Sequence, residues 1–235
     1  MTLIKKGSQA KENIMKEGNE GQQQNSRQIS TFKSGTTYKV RIPSTEDFAE
    51  WHSHSVFGKF YSGACTGKED LYCQAVKLIY DEMNEEKKKG NDDKAEELRK
   101  EAYELKAKPR YLFGFFNLED GEPIVIDVSK KQAQVLITGI DKMAKNLSKY
   151  PFEVTKSGQG QSTQVSITPI LSAEDELTEQ ELKNFQETEG KEFPAEIYEE
   201  VLKVKSRDEQ IEDLKTYGFD VSRLGVKDEN EDVPF

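Results

Sequence analysis

The stretch Pro109-Arg110-Tyr111-Leu112-Phe113-Gly114-Phe115-Phe116 constrains this chain more than any other. It is bulky, aromatic and of strand length. Glu119-Asp120-Gly121-Glu122-Pro123 then supplies turn residues, and a second apolar run returns over residues 124–128. Two such runs around an Asp-Gly pair predict a β-hairpin. Tyr111 and Phe113 alternate with Leu112, so one set should face inward and the other outward.

The other segments arrange themselves around that hairpin. Tyr38, Val40 and Ile42 alternate with Lys39 and Arg41, which predicts a half-buried strand with a basic outer face, closed by Pro43. Residues 51–61 are aromatic-rich and read as a strand, followed by a Gly/Ser/Cys loop to Tyr72. Residues 71–106 read as two helices, with apolar stripes at Ala75, Leu78, Ile79 and Met83 and at Ala95, Leu98, Ala102 and Leu105. The Lys- and Glu-rich turn at 87–93, with Gly90 and Asn91, predicts a hairpin that projects into solvent. An amphipathic helix is expected over 130–148, and two strands, 152–155 and 164–170, around a Gly-rich tip. Acidic helices are expected over 174–189, 194–205 and 207–217.

This order suggests a mainly β core, an oligonucleotide/oligosaccharide-binding (OB) fold barrel with a helical-hairpin insertion. The expected organisation is a flexible polar and basic arm (1–32), the core (33–171, insertion at about 71–107), an acidic helical region (172–222) and an acidic disordered tail (223–235). No run of about twenty apolar residues and no signal peptide is visible. Two cysteines make no disulfide framework, and a cytoplasmic location is expected.

The net charge of −10 argues against a nucleic-acid binder until it is located. Residues 1–171 hold 26 basic against 24 acidic side chains, whereas residues 172–235 hold 8 against 20. The first 41 residues hold 8 against 3. The acidity therefore belongs to the C-terminal quarter, as in a nucleic-acid module with an acidic tail.

Basic and aromatic residues interleave on the expected strands: Lys39, Arg41, Trp51, Lys59, Phe60, Tyr61, Lys108, Arg110, Tyr111 and Phe113. Cationic grooves that track phosphates and rings on which bases stack are how single strands are held. Each ring could equally be core, and Trp51 fits either role. Both histidines and both cysteines cluster as His52, His54, Cys65 and Cys73, a donor set suited to one structural zinc, or simply two buried thiols and two surface histidines. No catalytic motif assembles, so no enzyme is expected. The terminus, with Asp228, Glu229, Glu231 and Asp232 before Val233, Pro234 and Phe235, ends in an apolar tip that a purely solubilising tail does not need.

The ending Glu231-Asp232-Val233-Pro234-Phe235 resembles the acidic tip of bacterial single-stranded-DNA-binding proteins, which docks on partner enzymes. Residues 37–171 resemble the core of the single-stranded-DNA-binding, helix-destabilising proteins of tailed phages. A strand, a histidine, a cysteine-bearing loop, an inserted helical segment and an Arg/Lys-x-Tyr-type strand (here residues 110–117) before Asp-Gly follow in that family's order. The resemblance implies a protein that coats single-stranded DNA without sequence preference in phage replication, recombination and repair, within the host cytoplasm. It also implies cooperative self-association on DNA and a tail that recruits replication or recombination proteins. His52 and Cys65 have the spacing of the family's first two zinc ligands. After Cys73 the pattern departs: a second thiol would fall at Val76, so His54 would have to complete the set. The alternative is an adaptor without DNA affinity, built on the helical hairpin and the acidic helices.

Overall fold

The structure, a computed structural model, describes residues 4–6 and 29–226. Most of the expected N-terminal arm, and the tail residues Asp228, Glu229, Glu231, Asp232, Val233, Pro234 and Phe235, lie outside the described residues.

Among the described residues eight strands form one antiparallel sheet: β1 (Lys5–Lys6), β2 (Thr37–Arg41), β3 (Phe48–Val56), β4 (Phe60–Ala64), β5 (Lys108–Asn117), β6 (Pro123–Ser129), β7 (Phe152–Ser157) and β8 (Gln164–Pro169). The expected hairpin is β5–β6, in register from Arg110↔Ser129 to Phe116↔Pro123. Along the opposite edge of β5, β3 pairs with residues 108–113 and β2 with 116–117. β2 also pairs with β7, and β7 with β8. The sheet curls but is not closed into a barrel. Among the described residues β6 and β8 each have one strand partner, and α3 (Lys130–Lys142) packs on both.

The strand expected over 51–61 is two strands. Gly58, at φ 73°, turns the chain between Val56 and Phe60, a conformation that favours glycine. Between β4 and β5 stand the two expected helices, α1 (Leu71–Lys88) and α2 (Asp92–Leu105), joined through Gly90. The C-terminal quarter holds α4 (Ala173–Glu176), α5 (Glu179–Glu187), α6 (Ile197–Glu200) and α7 (Arg207–Tyr217). The helix expected over 194–205 is only the single turn of α6.

Both faces of the central strand are buried. Tyr111, Phe113 and Phe115 pack with Phe48, Ile126, Val128, Phe152 and the apolar face of α3, where the curled sheet wraps that helix. Leu112, with Ala49 and Val125, lies beneath Phe193, Ile197, Tyr198, Val201, Leu202 and Val204. The acidic region thus carries enough apolar side chains to roof part of the second sheet face. Burying one such side chain fully contributes about 1.5–3 kcal/mol. The approach is close at Gly114, where a Cβ would sit 2.5 Å from the Tyr198 hydroxyl and 2.6 Å from the Phe193 ring. A third cluster joins α1 and α2 to Phe60, Leu214, Phe219 and Val221, so α7 and the segment after it seal the base of the helical hairpin.

Candidate nucleic-acid interface and metal centre

The C-terminal roof stops short of the end of the sheet, and the uncovered remainder of that face is a groove of about 560 Å³. Trp51, Ser53 and Ser55 contribute from alternate positions of β3, Lys108, Pro109 and Arg110 from β5, and Asp127 and Ser129 from β6. The β3–β4 turn adds Phe57, and β4 adds Tyr61. Register explains the grouping, since Trp51 faces Arg110 and Ser53 faces Lys108 across the strand pair.

Among the described residues the exposed aromatic rings are Phe57 (93% exposed), Tyr61 (74%) and Tyr103 (64%). Phe57 and Tyr61 line the groove. Tyr103, on α2, flanks it, because Lys108 Nζ lies 5.6 Å from its ring centre. Lys108 also donates to the Glu104 carbonyl at 3.1 Å, and burial holds its pKa below the usual lysine value. Arg110 forms a bidentate ion pair with Asp127 through Nε and Nη2, and Trp51 Nε1 donates to the same carboxylate at 3.2 Å. Lys156, on β7, lies 5.2 Å from the Phe32 ring centre, and its pKa is lowered first by burial and then by Arg110, while Asp127 opposes the shift.

Of the residues expected to contact DNA, the structure brings Trp51, Tyr61, Lys108 and Arg110 into one groove, with Lys59 exposed on the turn beside it. The others are elsewhere. Tyr111 and Phe113 are fully buried, and cannot stack on bases, because they face the core that the curled sheet forms with α3. The Tyr111 hydroxyl donates to Glu50 Oε2 at 3.0 Å, and Phe113 stacks on Phe48 at 5.4 Å. Phe60 stacks on Tyr72 inside the hairpin core.

Lys39 and Arg41 do point away from the strand core, but the acidic region occupies that side. Lys39 Nζ reaches Glu181 Oε2 at 3.0 Å and the Glu176 carbonyl at 2.8 Å. Burial alone would raise the Glu181 pKa, yet the Thr178 amide and Lys39 together hold it below the usual value. Arg41 donates to the Phe185 carbonyl from Nε (3.1 Å) and Nη2 (2.5 Å), to Thr188 Oγ1 and to the Ser148 carbonyl, with its guanidinium 3.7 Å from the Phe185 ring centre. It is 3% exposed, so its charge serves the C-terminal segment and not an external phosphate.

Phe57, Tyr103, Lys156 and Asp127 were not singled out from sequence. Tyr103 had a legible signal, since it falls off the Leu98–Ala102–Leu105 stripe and must face solvent.

At the other surface of β3, His54, Cys65 and Cys73 place their donor atoms within 4.8 Å of one another. Cys65 follows β4, where its amide donates to the His52 carbonyl at 2.8 Å. Cys73 sits in the first turn of α1, whose N-terminus is capped by Asp70 Oδ1 accepting from the Tyr72 and Cys73 amides. His54 Nδ1 lies 2.7 Å from the Leu105 carbonyl at the end of α2, so Nδ1–H donates there and Nε2 is left as the lone-pair nitrogen. Nε2 lies 3.4 Å from Cys73 Sγ, and the two sulfurs are 3.4 Å apart. Ligands on a tetrahedral zinc would be separated by about 3.5–3.8 Å, given Zn–N of about 2.0 and Zn–S of about 2.3 Å. The donor set and spacing therefore fit a metal ion.

Electrostatics agree with that fit. Hydrogen bonding from Cys73, despite opposing burial, and the nearby His54 bring the Cys65 pKa down to about 6. For His54, burial pushes the pKa down, but Cys65 and the Asp70 charge outweigh it and the net shift is upward. Asp70 also brings a carboxylate oxygen to 3.7 Å from Nε2. His52, expected as a ligand, is not in the cluster. Residues i and i+2 share a strand face but are roughly 7 Å apart along it, so only one histidine reaches the thiols.

No protein-family model matches the chain, and no curated protein matches it. Among the described residues no helix is long and apolar enough to cross a membrane.

Proposed function

We propose that the chain binds single-stranded DNA without sequence preference in the groove at the uncovered end of the sheet. The observation that carries this is the gathering of Phe57, Tyr61 and Tyr103, all exposed, beside Lys108 and Arg110. Exposed rings add little to folding, whereas each can stack a base for roughly 1–3 kcal/mol. Lys59, Lys108, Arg110 and Lys156 hold phosphates, while the Trp51 indole edge lines the floor. The curled sheet wrapped on α3 is read as an opened relative of the OB fold, with the helical hairpin inserted between its strands. The role is that of a phage replication and recombination accessory protein, coating single strands and recruiting partner enzymes through residues 228–235.

One structural zinc on His54, Cys65 and Cys73 belongs to the same reading. Such an ion supplies cross-linking rather than chemistry, joining β3, the segment after β4 and α1, with α2 tied in through Leu105.

Titration of the single tryptophan, Trp51, with oligo-dT at several salt concentrations tests the proposal. Saturable binding should weaken steeply with salt, by a slope of about 0.7 per phosphate contact. No binding at low salt would refute it.

A further inference from the structure

Every acid lining a DNA groove works against a polyanion, and among the described residues lining this one there is a single acid, Asp127. It occupies a particular place. Its carboxylate takes the bidentate side of Arg110 and the Trp51 indole N–H, the two donors best placed to meet a phosphate on the groove floor. A carboxylate and a phosphate oxygen pair satisfy the guanidinium fork in the same way. The pair is only partly buried, with Arg110 34% and Asp127 19% exposed at their side chains, so a strand can reach it.

We propose that Asp127 is a built-in competitor for the strand, resting on the groove being the DNA site. In the empty groove it satisfies Arg110 and Trp51 and cancels one positive charge. A phosphate that binds must displace it from Arg110 and leave it facing the chain of anions. Asp127 thereby sets an upper limit on affinity and favours release, which a protein that must be cleared from DNA by the next enzyme requires. It also makes Trp51 a direct reporter, since the indole loses its carboxylate when the strand arrives.

The test is Asp127→Asn, which keeps the shape and removes the charge. Oligo-dT binding at low salt should tighten by roughly three- to tenfold, and the slope of log affinity against log salt should steepen by about 0.7. In an Arg110→Gln background the gain should shrink, because the competition at Arg110 is gone and only the repulsion between Asp127 and the strand is relieved. Unchanged or weaker binding by a D127N protein that melts like the parent would overturn the proposal. Should D127N fold poorly, the unsubstituted protein decides. The indole N–H resonance of Trp51 should move on saturation with oligo-dT, and an unmoved resonance in a saturated complex refutes the exchange. Failure of the unsubstituted protein to bind at all would instead overturn the groove as a DNA site.

Discussion

Replacing Tyr61 by alanine separates binding from folding. The ring is 74% exposed. About a quarter of a tyrosine surface of roughly 200 Å² is covered, so truncation costs folding about 1 kcal/mol at most. For a chain of this size that is a fall in Tm of about 2–4 °C. Loss of one stacked base is larger, about 1–3 kcal/mol, or roughly 5- to 150-fold in affinity. The assay is fluorescence anisotropy of labelled oligo-dT at low salt, beside a thermal melt of the same preparation. Tyr111→Ala is the contrasting substitution. Its ring is fully buried, so the melt should collapse by about 3–5 kcal/mol. Binding by Y61A within twofold of the parent, with the small Tm change, would refute the stacking argument. A large Tm loss would refute the exposure argument instead.

Metal analysis of protein purified without a polyhistidine tag should give one zinc per chain, retained by His52→Ala and lost by His54→Ala. Chelation should lower the Tm of the parent but not of the H54A protein. In the metal-free chain the Cys65 thiol, with its folded pKa depressed from 9.0 to about 6, adds stability that is complete above pH ~9 and lost as pH falls through about 6. Thiolate ultraviolet absorbance and chemical denaturation, followed together across that window, check the sign, and Cys65→Ser should remove the dependence.

Much of the architecture was legible because it rests on short-range periodicity. The β5–β6 hairpin announces itself through Asp120-Gly121, and α1 and α2 through two apolar stripes around Gly90. What failed was the outside of the strands. Alternation correctly turned Lys39 and Arg41 outward, but nothing local shows that Glu181 and the carbonyl end of α5 come back 140 residues later to meet them. Phe193, Ile197, Tyr198, Val201, Leu202 and Val204 are diluted among acids, so their shared role as a roof over Leu112 appears only in three dimensions. The choice between His52 and His54 is of the same kind. Both lie on one strand face, and the position of Cys73 along that face comes from the helical insertion.

The cluster of His54, Cys65 and Cys73, with Leu105 bonded to the histidine, also pins the helical hairpin at both of its roots. The strands therefore sense only where the insertion begins and ends, not how far it extends. Its tip, at Lys89-Gly90-Asn91, is a place where chain length can drift between descendants at little cost, because each doubling of a loop adds only about 0.6 kcal/mol of closure entropy. The hairpin is thus an adjustable arm on an unadjustable hinge plate, free to be fitted to new neighbours while the groove beneath it stays the same.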